Sequence, residues 1–286
     1  MNQFLSQLIN GVALGAGYAL LAVGWSVLLS AARLVNFSHG QLYMIGAFVT
    51  WWSMSSLGLP YYAAVPIAVI AVGLIGFLMQ GLMSKLIISQ NLVSLMLVTL
   101  AFGYIITGGA SLIFSGNPRQ IASPAMGERI YILNTYITMQ EVVIIIAALV
   151  LYGVTWLVLE KTTAGRKVRG VAEDPFLARL YGINPGKVYA GVFVFSAASA
   201  ALAGALIGPR HPILTSMGFE EVIITFLVVV LGGIGSIIGG LVAGFGLGLF
   251  VALFGAYVSP AYAMPAAFAV LLVLLVVRPQ GLKVKS

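Results

Sequence analysis

The sequence predicts an all-α fold, a polytopic transmembrane helical bundle of about eight or nine spans with broken or re-entrant helices and an inverted repeat. Three observations carry this. Hydrophobic residues make up 61% of the 286 positions and charged residues 7%, far below the roughly one quarter usual in soluble domains. Charges are absent over stretches longer than any buried soluble helix needs, and those stretches are cut by Gly, Pro and Ser at spacings that suit bilayer crossings. The chain reads as a single transmembrane domain over residues 1–286.

No Lys, Arg, Asp or Glu precedes Arg33, which leaves a first helix core at 5–29. The absence of a leading positive charge and the length of the apolar run argue against a secretory signal peptide. From Arg33 to Lys85 there is again no such charge, too long for one span of roughly 20 residues. Leu57-Gly58-Leu59-Pro60 divides that stretch into cores at 40–57 and 61–83. A core at 92–114 lies between Lys85 and Arg119, and an external loop at 115–139 follows, broken by Pro118, Pro124 and Gly127. Glu141 to Glu160 encloses a core at 140–159, and Lys187 to Arg210 one at 188–207. The uncharged run from Glu221 to Arg278 is divided at Gly232–Gly235 and at Ser259-Pro260, giving cores at 218–232, 237–257 and 260–277. The 218–232 core is short enough to be re-entrant, and Glu220-Glu221 at its start needs protein or water beside it.

Cytoplasmic loops carry an excess of Lys and Arg. The 160–187 loop holds Lys161, Arg166, Lys167, Arg169, Arg179 and Lys187 against Glu160, Glu173 and Asp174, so it is expected in the cytoplasm. Arg33, Lys85 and the C-terminus with Arg278, Lys283 and Lys285 belong on the same side. The 115–139 loop instead balances Arg119 and Arg129 with Glu128 and the adjoining Glu141, and nine spans then place the N-terminus outside. Topology accounts for the net charge of +7 without nucleic acid. With no cysteine, disulfides and thiolate chemistry are excluded.

Many of the 34 glycines stand four apart within spans, as in Gly204/Gly208, Gly235/Gly239 and Gly240/Gly244/Gly248, a pattern expected where helices pack closely. Gly244-Phe245-Gly246-Leu247-Gly248 lies inside an apolar span and is no nucleotide motif.

In the 160–187 loop, start and stop signals outline a short helix. Asp174 suits the N-cap, Pro175 the first helical position and Gly182 a left-handed C-terminal turn, while Asn184-Pro185 caps the next span. Phe176, Leu177 and Leu180 form an apolar side and Arg179 points elsewhere. Spacing alone leaves a solvated connector and a docking element, on lipid headgroups or in a groove of a soluble partner, equally open.

Arg169-Gly170-Val171-Ala172-Glu173-Asp174-Pro175, followed by Ala178-Arg179-Leu180-Tyr181-Gly182-Ile183-Asn184, resembles the cytoplasmic loop of branched-chain amino acid ABC permeases. Asn36-Phe37-Ser38-His39-Gly40-Gln41-Leu42-Tyr43-Met44-Ile45-Gly46-Ala47 is similar to the family's Asn-Phe-Ala-His-Gly segment near the second helix, with Ser38 in place of the usual alanine. Leu231-Gly232-Gly233-Ile234-Gly235-Ser236-Ile237-Ile238-Gly239-Gly240 resembles a third family segment, and Thr99-Leu100-Ala101-Phe102-Gly103 follows the family's Thr-x-Gly helix with looser spacing. The likeness runs nearly end to end and is nearest the shorter of the family's two permeases. It implies the permease subunit of a bacterial ATP-driven importer in the inner membrane, passing branched-chain or related small amino acids by alternating access. It also implies a second homologous permease as a heterodimer partner, two ATPase subunits that hold ATP and magnesium, and an extracytoplasmic substrate-binding protein. In that reading Glu173, Asp174, Pro175, Phe176, Leu177, Ala178, Arg179, Leu180 and Gly182 couple to the ATPase, and this chain binds no cofactor itself.

Gly15 to Ala47 and Val192 to Val230 each read as a span, a polar break near Asn36 or Ser216, and another helix, running oppositely in the predicted topology. An inverted repeat of this kind places the translocation path at the breaks, with Asn36, Ser38, His39, Gly40, Thr99 and Glu221 as candidates. His39 has two open roles, a substrate contact or a hydrogen bond to a carbonyl that holds the broken helix. Glu220 and Glu221 face a similar choice between substrate and the dipole of an external helix N-terminus. Arg210 and His211, between Pro209 and Pro212, are expected in an external loop open to a binding protein.

No His-Glu-x-x-His, Gly-x-Ser-x-Gly or phosphate-binding loop occurs, so the chain reads as no enzyme and has no means to hydrolyse ATP alone. The alternatives are a permease of the same family for urea, amides or small organic acids, a self-sufficient channel or secondary transporter, and an intramembrane enzyme. The missing midplane acids argue against ion coupling and the missing catalytic pair against an enzyme.

Overall fold

The computed structural model describes residues 2–89, 92–132, 135–278 and 281. Its long helices are α1 (Asn2–Ala32), α2 (His39–Leu57), α3 (Tyr61–Ser89), α4 (Leu92–Phe114), α5 (Met139–Lys161), α8 (Pro185–Ile207), α9 (Met217–Gly232), α10 (Ile237–Tyr257) and α11 (Pro260–Val277). Each expected core falls on one of them. Among the described residues seven are long and apolar enough to cross a bilayer, and α2 and α9 are the two that are not. The sequence-derived count of eight or nine thus includes two helices of a different kind.

Helix α1 is the centre of the bundle, with Ala16, Leu20, Val23, Trp25 and Leu28 fully buried. It runs antiparallel along α10, and small residues set the distance between them. Gly11 faces Leu249, Gly15 faces Phe245, and a Cβ added at Gly244 would lie 2.8 Å from the Ala19 backbone. Lipid tails are as apolar as leucine, so such helices are held by close van der Waals packing rather than by expulsion of water. The glycine rows seen in the sequence serve this packing: Gly204 abuts Tyr43, Gly239 abuts Gly232, and Gly248 abuts Gly15. Gly235 is the exception, a turn residue with φ +81° between α9 and α10. At the periphery, Leu97, Ile105 and Leu112 of α4 and Leu272, Val273 and Val276 of α11 are exposed apolar side chains that suit a lipid solvent.

The packing has a paired character. Helix α3 lies along α8 as α1 lies along α10; α2 contacts α3 and α4, α9 contacts α10 and α11, and α2 meets α9.

One end of the bundle carries the basic 160–187 segment. There Ala31, Arg33, Ile87 and Leu95 line a cavity with Val171, Glu173 and Tyr189, Gly235 approaches Ser30, and Gly281 approaches Val230 and Gly233. The C-terminal part of the described chain therefore sits at this basic end and the start of α1 at the other. Lys283 and Lys285 lie outside the described residues.

Two features of the connections were not foreseen. Residues preceding the short helix form a further helix, α6 (Thr163–Glu173), whose N-cap Thr162 accepts from the Gly165 amide at 3.3 Å. At the opposite end, β1 (Arg129–Ile132) and β2 (Thr135–Thr138) pair antiparallel, with Arg129 opposite Thr138. The hairpin passes directly into α5 through a reciprocal cap in which the Glu141 amide donates to Thr138 Oγ1 and the Glu141 carboxylate accepts from the Thr138 amide.

Candidate functional site: the junction of two broken helices

Helix α1 stops at Arg33, where φ reaches +50°, and the chain then turns back into the bundle. The returning segment is held by side chains. Asn36 Oδ1 accepts from the Ser38 amide at 3.1 Å and from Ser38 Oγ at 2.6 Å, and Thr99 Oγ1 on α4 accepts from the Phe37 amide at 3.2 Å. Asn36, Ser38, His39, Gln41 and Thr99 are all buried. In an apolar interior such groups need partners, and most of these have them.

His39 opens α2. Its Nε2 donates to the Leu21 carbonyl of α1 at 3.0 Å, its Nδ1 lies 3.4 Å from Ser196 Oγ of α8, and its ring stacks on Trp25 at 5.7 Å. The carbonyl bond is the one considered for a helix-fixing role, and it locks the start of α2 to a point part-way along α1.

Helix α9 begins against the same place. A Cβ on Gly40 would run into the Gly218 carbonyl, and one on Gly218 would meet Gln41. Gly208, at the end of α8, abuts Ala47 of α2. From Ala47 back to Gly40 is about 10 Å at 1.5 Å per helical residue, so α9 starts about that far inside the end of α8. The expectation that Glu220 and Glu221 mark an external helix terminus is corrected accordingly: that terminus is set within the bundle. From the junction α2 runs to the hairpin end and α9 to the basic end, so two N-termini meet head to head. Part of each first turn is satisfied locally, the His39 amide by the Asn36 carbonyl and the Met217 and Phe219 amides by the Leu214 and Ser216 carbonyls, and each N-terminus carries a partial positive charge.

Around this junction stand Gln41, Gly103, Tyr104, Phe219 and Glu221. The Tyr104 and Phe219 rings are 5.2 Å apart, and Glu221 shares an electrostatic neighbourhood with Tyr18 and Tyr43. Gln41 was not singled out by sequence reasoning although it stands in the quoted Asn36–Ala47 segment. It is fully buried, and neither amide atom has a hydrogen-bond partner among the described residues. A Cβ on Gly103 would come within 3.3 Å of its Oε1. A glutamine directly after a His-Gly helix start, in a run otherwise apolar, was the available signal.

The second group of candidates lies at the basic end. Helix α7 (Pro175–Leu180) has the predicted caps: Asp174 Oδ1 accepts from the Phe176 amide at 2.7 Å and the Leu177 amide at 3.0 Å, and Gly182 has φ +77°. Asn184 Oδ1 accepts from the Lys187 amide at 3.3 Å. Ala178 packs inward, whereas Phe176, Leu177, Arg179 and Leu180 are exposed, as is Glu173 at the end of α6. No geometry joins this helix to the α2–α9 junction directly; they are separate regions.

At the hairpin end, Arg210 lies in the connection between α8 and α9, where the sequence places a loop, and its charge is already matched. It pairs with Glu141 at 3.2 Å, with the two side chains only 17% and 12% exposed, and so ties the end of α8 to the start of α5. Arg119 and Ile213 exchange backbone hydrogen bonds beside it. His211 is held below its usual pKa by burial and by the neighbouring Arg210.

A family model described as branched-chain amino acid transport system permease component matches residues 7–277. The chain belongs to this permease family. It is 31% identical to the high-affinity branched-chain amino acid transport system permease protein LivH of Salmonella typhimurium, over 98% of this chain and 95% of the relative. It is 29% identical to the corresponding BraD of Pseudomonas aeruginosa, again over 98% and 95%. LivM of Escherichia coli, also a permease protein of a high-affinity branched-chain amino acid transport system, matches at 27% over 77% of this chain and 57% of its own length. No solved structure matches. The long apolar helices and the family together make the chain a multi-pass membrane permease.

Proposed function

We propose that this permease is one of two that together form the translocation path of an ATP-driven importer for branched-chain or related small amino acids in a bacterial inner membrane. The observation that carries the reading is the head-to-head junction of α2 and α9 inside the bundle. Broken helices of this kind give a transporter backbone groups at membrane depth, and their N-termini favour an anionic group such as a substrate carboxylate. Glu221 supplies the complementary charge for an ammonium group, and Gln41 supplies both a donor and an acceptor. His39, Asn36, Ser38, Gly40 and Thr99 shape the path by holding the start of α2 in place.

The two-permease arrangement is supported by the relatives, since the chain aligns with both LivH and LivM. The paired packing supports an inverted repeat in which α1 to α4 correspond to α8 to α11. The excess of Lys and Arg at the basic end supports a cytoplasmic side for that end and for the C-terminus. There the exposed face of α7 with Phe176, Leu177 and Leu180, flanked by Glu173, Asp174, Pro175, Ala178, Arg179 and Gly182, docks on ATPase subunits that hold ATP and magnesium. An extracytoplasmic binding protein delivers substrate at the hairpin end. ATP-driven closure of the ATPases then moves α7, and the permeases rock to open the junction alternately to either side.

The test is reconstitution of this chain with its partner permease, ATPases and binding protein in vesicles. ATP-dependent uptake of labelled leucine is expected, and Arg179→Glu is expected to leave the complex assembled but reduce uptake per ATP hydrolysed. Uptake by this chain alone without ATP overturns the reading. The uncharged, self-complementary amide of Gln41 also suits urea or small amides, so ATP-dependent uptake of labelled urea or acetamide by the same vesicles in place of leucine would decide for that substrate class.

A further inference from the structure

A groove of about 660 Å³ opens between α5, α6 and α8 at the basic end, floored by Val27 of α1. Its size lies within the roughly 300–1,000 Å³ typical of ligand sites. Its chemistry is divided by depth. The deeper walls are Val154, Val158, Val192 and Phe195, and the one hydroxyl there, Thr155 Oγ1, already donates to the Leu151 carbonyl. The shallow rim carries Lys167 of α6 and Lys187 in the first turn of α8. No Asp or Glu lines the groove, and neither lysine takes part in an ion pair among the described residues.

From Lys187 to Phe195 is about 12 Å along α8, the distance from headgroup level well into hydrocarbon. We propose that the groove binds one anionic glycerophospholipid of the leaflet at the basic end, with an acyl chain between α5 and α8 and its phosphate between Lys167 and Lys187. Charge complementarity selects this occupant. A helix of another subunit covers apolar walls equally well but leaves two ammonium groups without counter-charge, whereas a phosphate supplies it at the right depth. A small zwitterionic solute has no use for the long apolar wall. The site depends only on the chain lying in a membrane, and stands or falls apart from the transport reading.

The experiment places the assembled permease complex in phosphatidylcholine nanodiscs doped with acyl-chain photo-crosslinking phosphatidylglycerol or, separately, photo-crosslinking phosphatidylcholine, and maps labelled peptides by mass spectrometry. Phosphatidylglycerol is expected to label the 154–158 and 188–195 peptides preferentially. An adjacent lysine near the surface strengthens anionic lipid binding about fivefold, so Lys167→Gln with Lys187→Gln is expected to weaken labelling roughly thirtyfold. Gly191→Phe provides an independent block. Gly191 lines the groove and an added Cβ there has open space around it, so the ring fills the groove without disturbing the backbone. Labelling is expected to vanish with an unchanged thermal melt. Equal labelling by phosphatidylcholine, labelling that survives both variants, or capture of a partner subunit by a photo-crosslinker placed at position 191 would each overturn the proposal.

Discussion

The α2–α9 junction and helix α7 break the usual rule of burial in opposite senses. At the junction polar side chains are buried among apolar helices, whereas on α7 large apolar side chains stand exposed at the polar end of the molecule, Phe176 at 67% and Leu180 at 69%. Neither arrangement favours the isolated chain. Buried polar groups require partners, and most of the junction's are matched one to one: Asn36 with Ser38, Thr99 with Phe37, His39 with Leu21. Exposed apolar groups require a cover from outside. The junction is thus internally completed among the described residues except at Gln41 and at Trp25 Nε1, while α7 leaves its apolar side uncovered. One region explains how the chain holds a broken helix; the other presents the apolar face that the proposed ATPase docking would cover.

The comparison breaks most decisively at Gly40. A leucine there has no space beside the Gly218 backbone, and because a backbone carbonyl cannot rotate away, overpacking is expected to cost about 3 kcal/mol or more. Loss of monodisperse protein and of uptake is the expected outcome for Gly40→Leu; a variant that folds and transports at half the normal rate means that α2 and α9 do not touch. Next in size is Phe176→Asp. The side chain is exposed, so the melting curve is expected to shift by no more than about 0.5 kcal/mol. Uptake is nevertheless expected to fall more than about tenfold, because an anchor in a protein interface is worth about 2 kcal/mol. Unchanged uptake makes α7 a plain connector.

Both regions were partly legible in the sequence. Each helix core was placed because charge-free runs of span length and Gly-Pro breaks are constraints of the bilayer rather than of any particular partner. The caps of α7 were readable because Asp174, Pro175 and Gly182 act on their immediate neighbours. What escaped was non-local. Helix α6 is amphipathic, with Val168 and Val171 packed inward, but it is short and its many charges read only as the mark of a basic loop. The pairing of Arg210 with Glu141 joins residues 69 apart in the chain, and only the packing of α8 on α5 brings them together. The depth of α9 was half legible: its shortness suits a re-entrant helix, but a helix N-terminus looks the same in sequence whether it lies at the membrane edge or inside the bundle.

Gln41 tests an incomplete part of the junction. Replacing an unpartnered buried amide by leucine removes a desolvation cost without removing a bond, so Gln41→Leu is expected to leave stability unchanged or raise it by about 1 kcal/mol. If the amide meets substrate during transport, KM for uptake rises about tenfold, the worth of a lost hydrogen bond to a charged group. A destabilised variant with normal KM assigns Gln41 to structure instead.

The smallest effect belongs to the cap of α7, and it sharpens the contrast from the other side. The helix has six residues, too few to persist by its own propensity. Asp174 therefore contributes in proportion to the two amides it accepts, and Asp174→Ala is expected to weaken the helix by about 1 kcal/mol while Asp174→Ser retains most of it. Hydrogen exchange at the Phe176 and Leu177 amides reads this directly, with about fivefold faster exchange expected in the alanine variant. If exchange accelerates and uptake falls in step, the exposed apolar face must be presented as a formed helix to work. If exchange accelerates while uptake holds, the partner itself folds this segment on docking, and the order seen in α7 is a convenience of the free chain rather than a requirement of coupling.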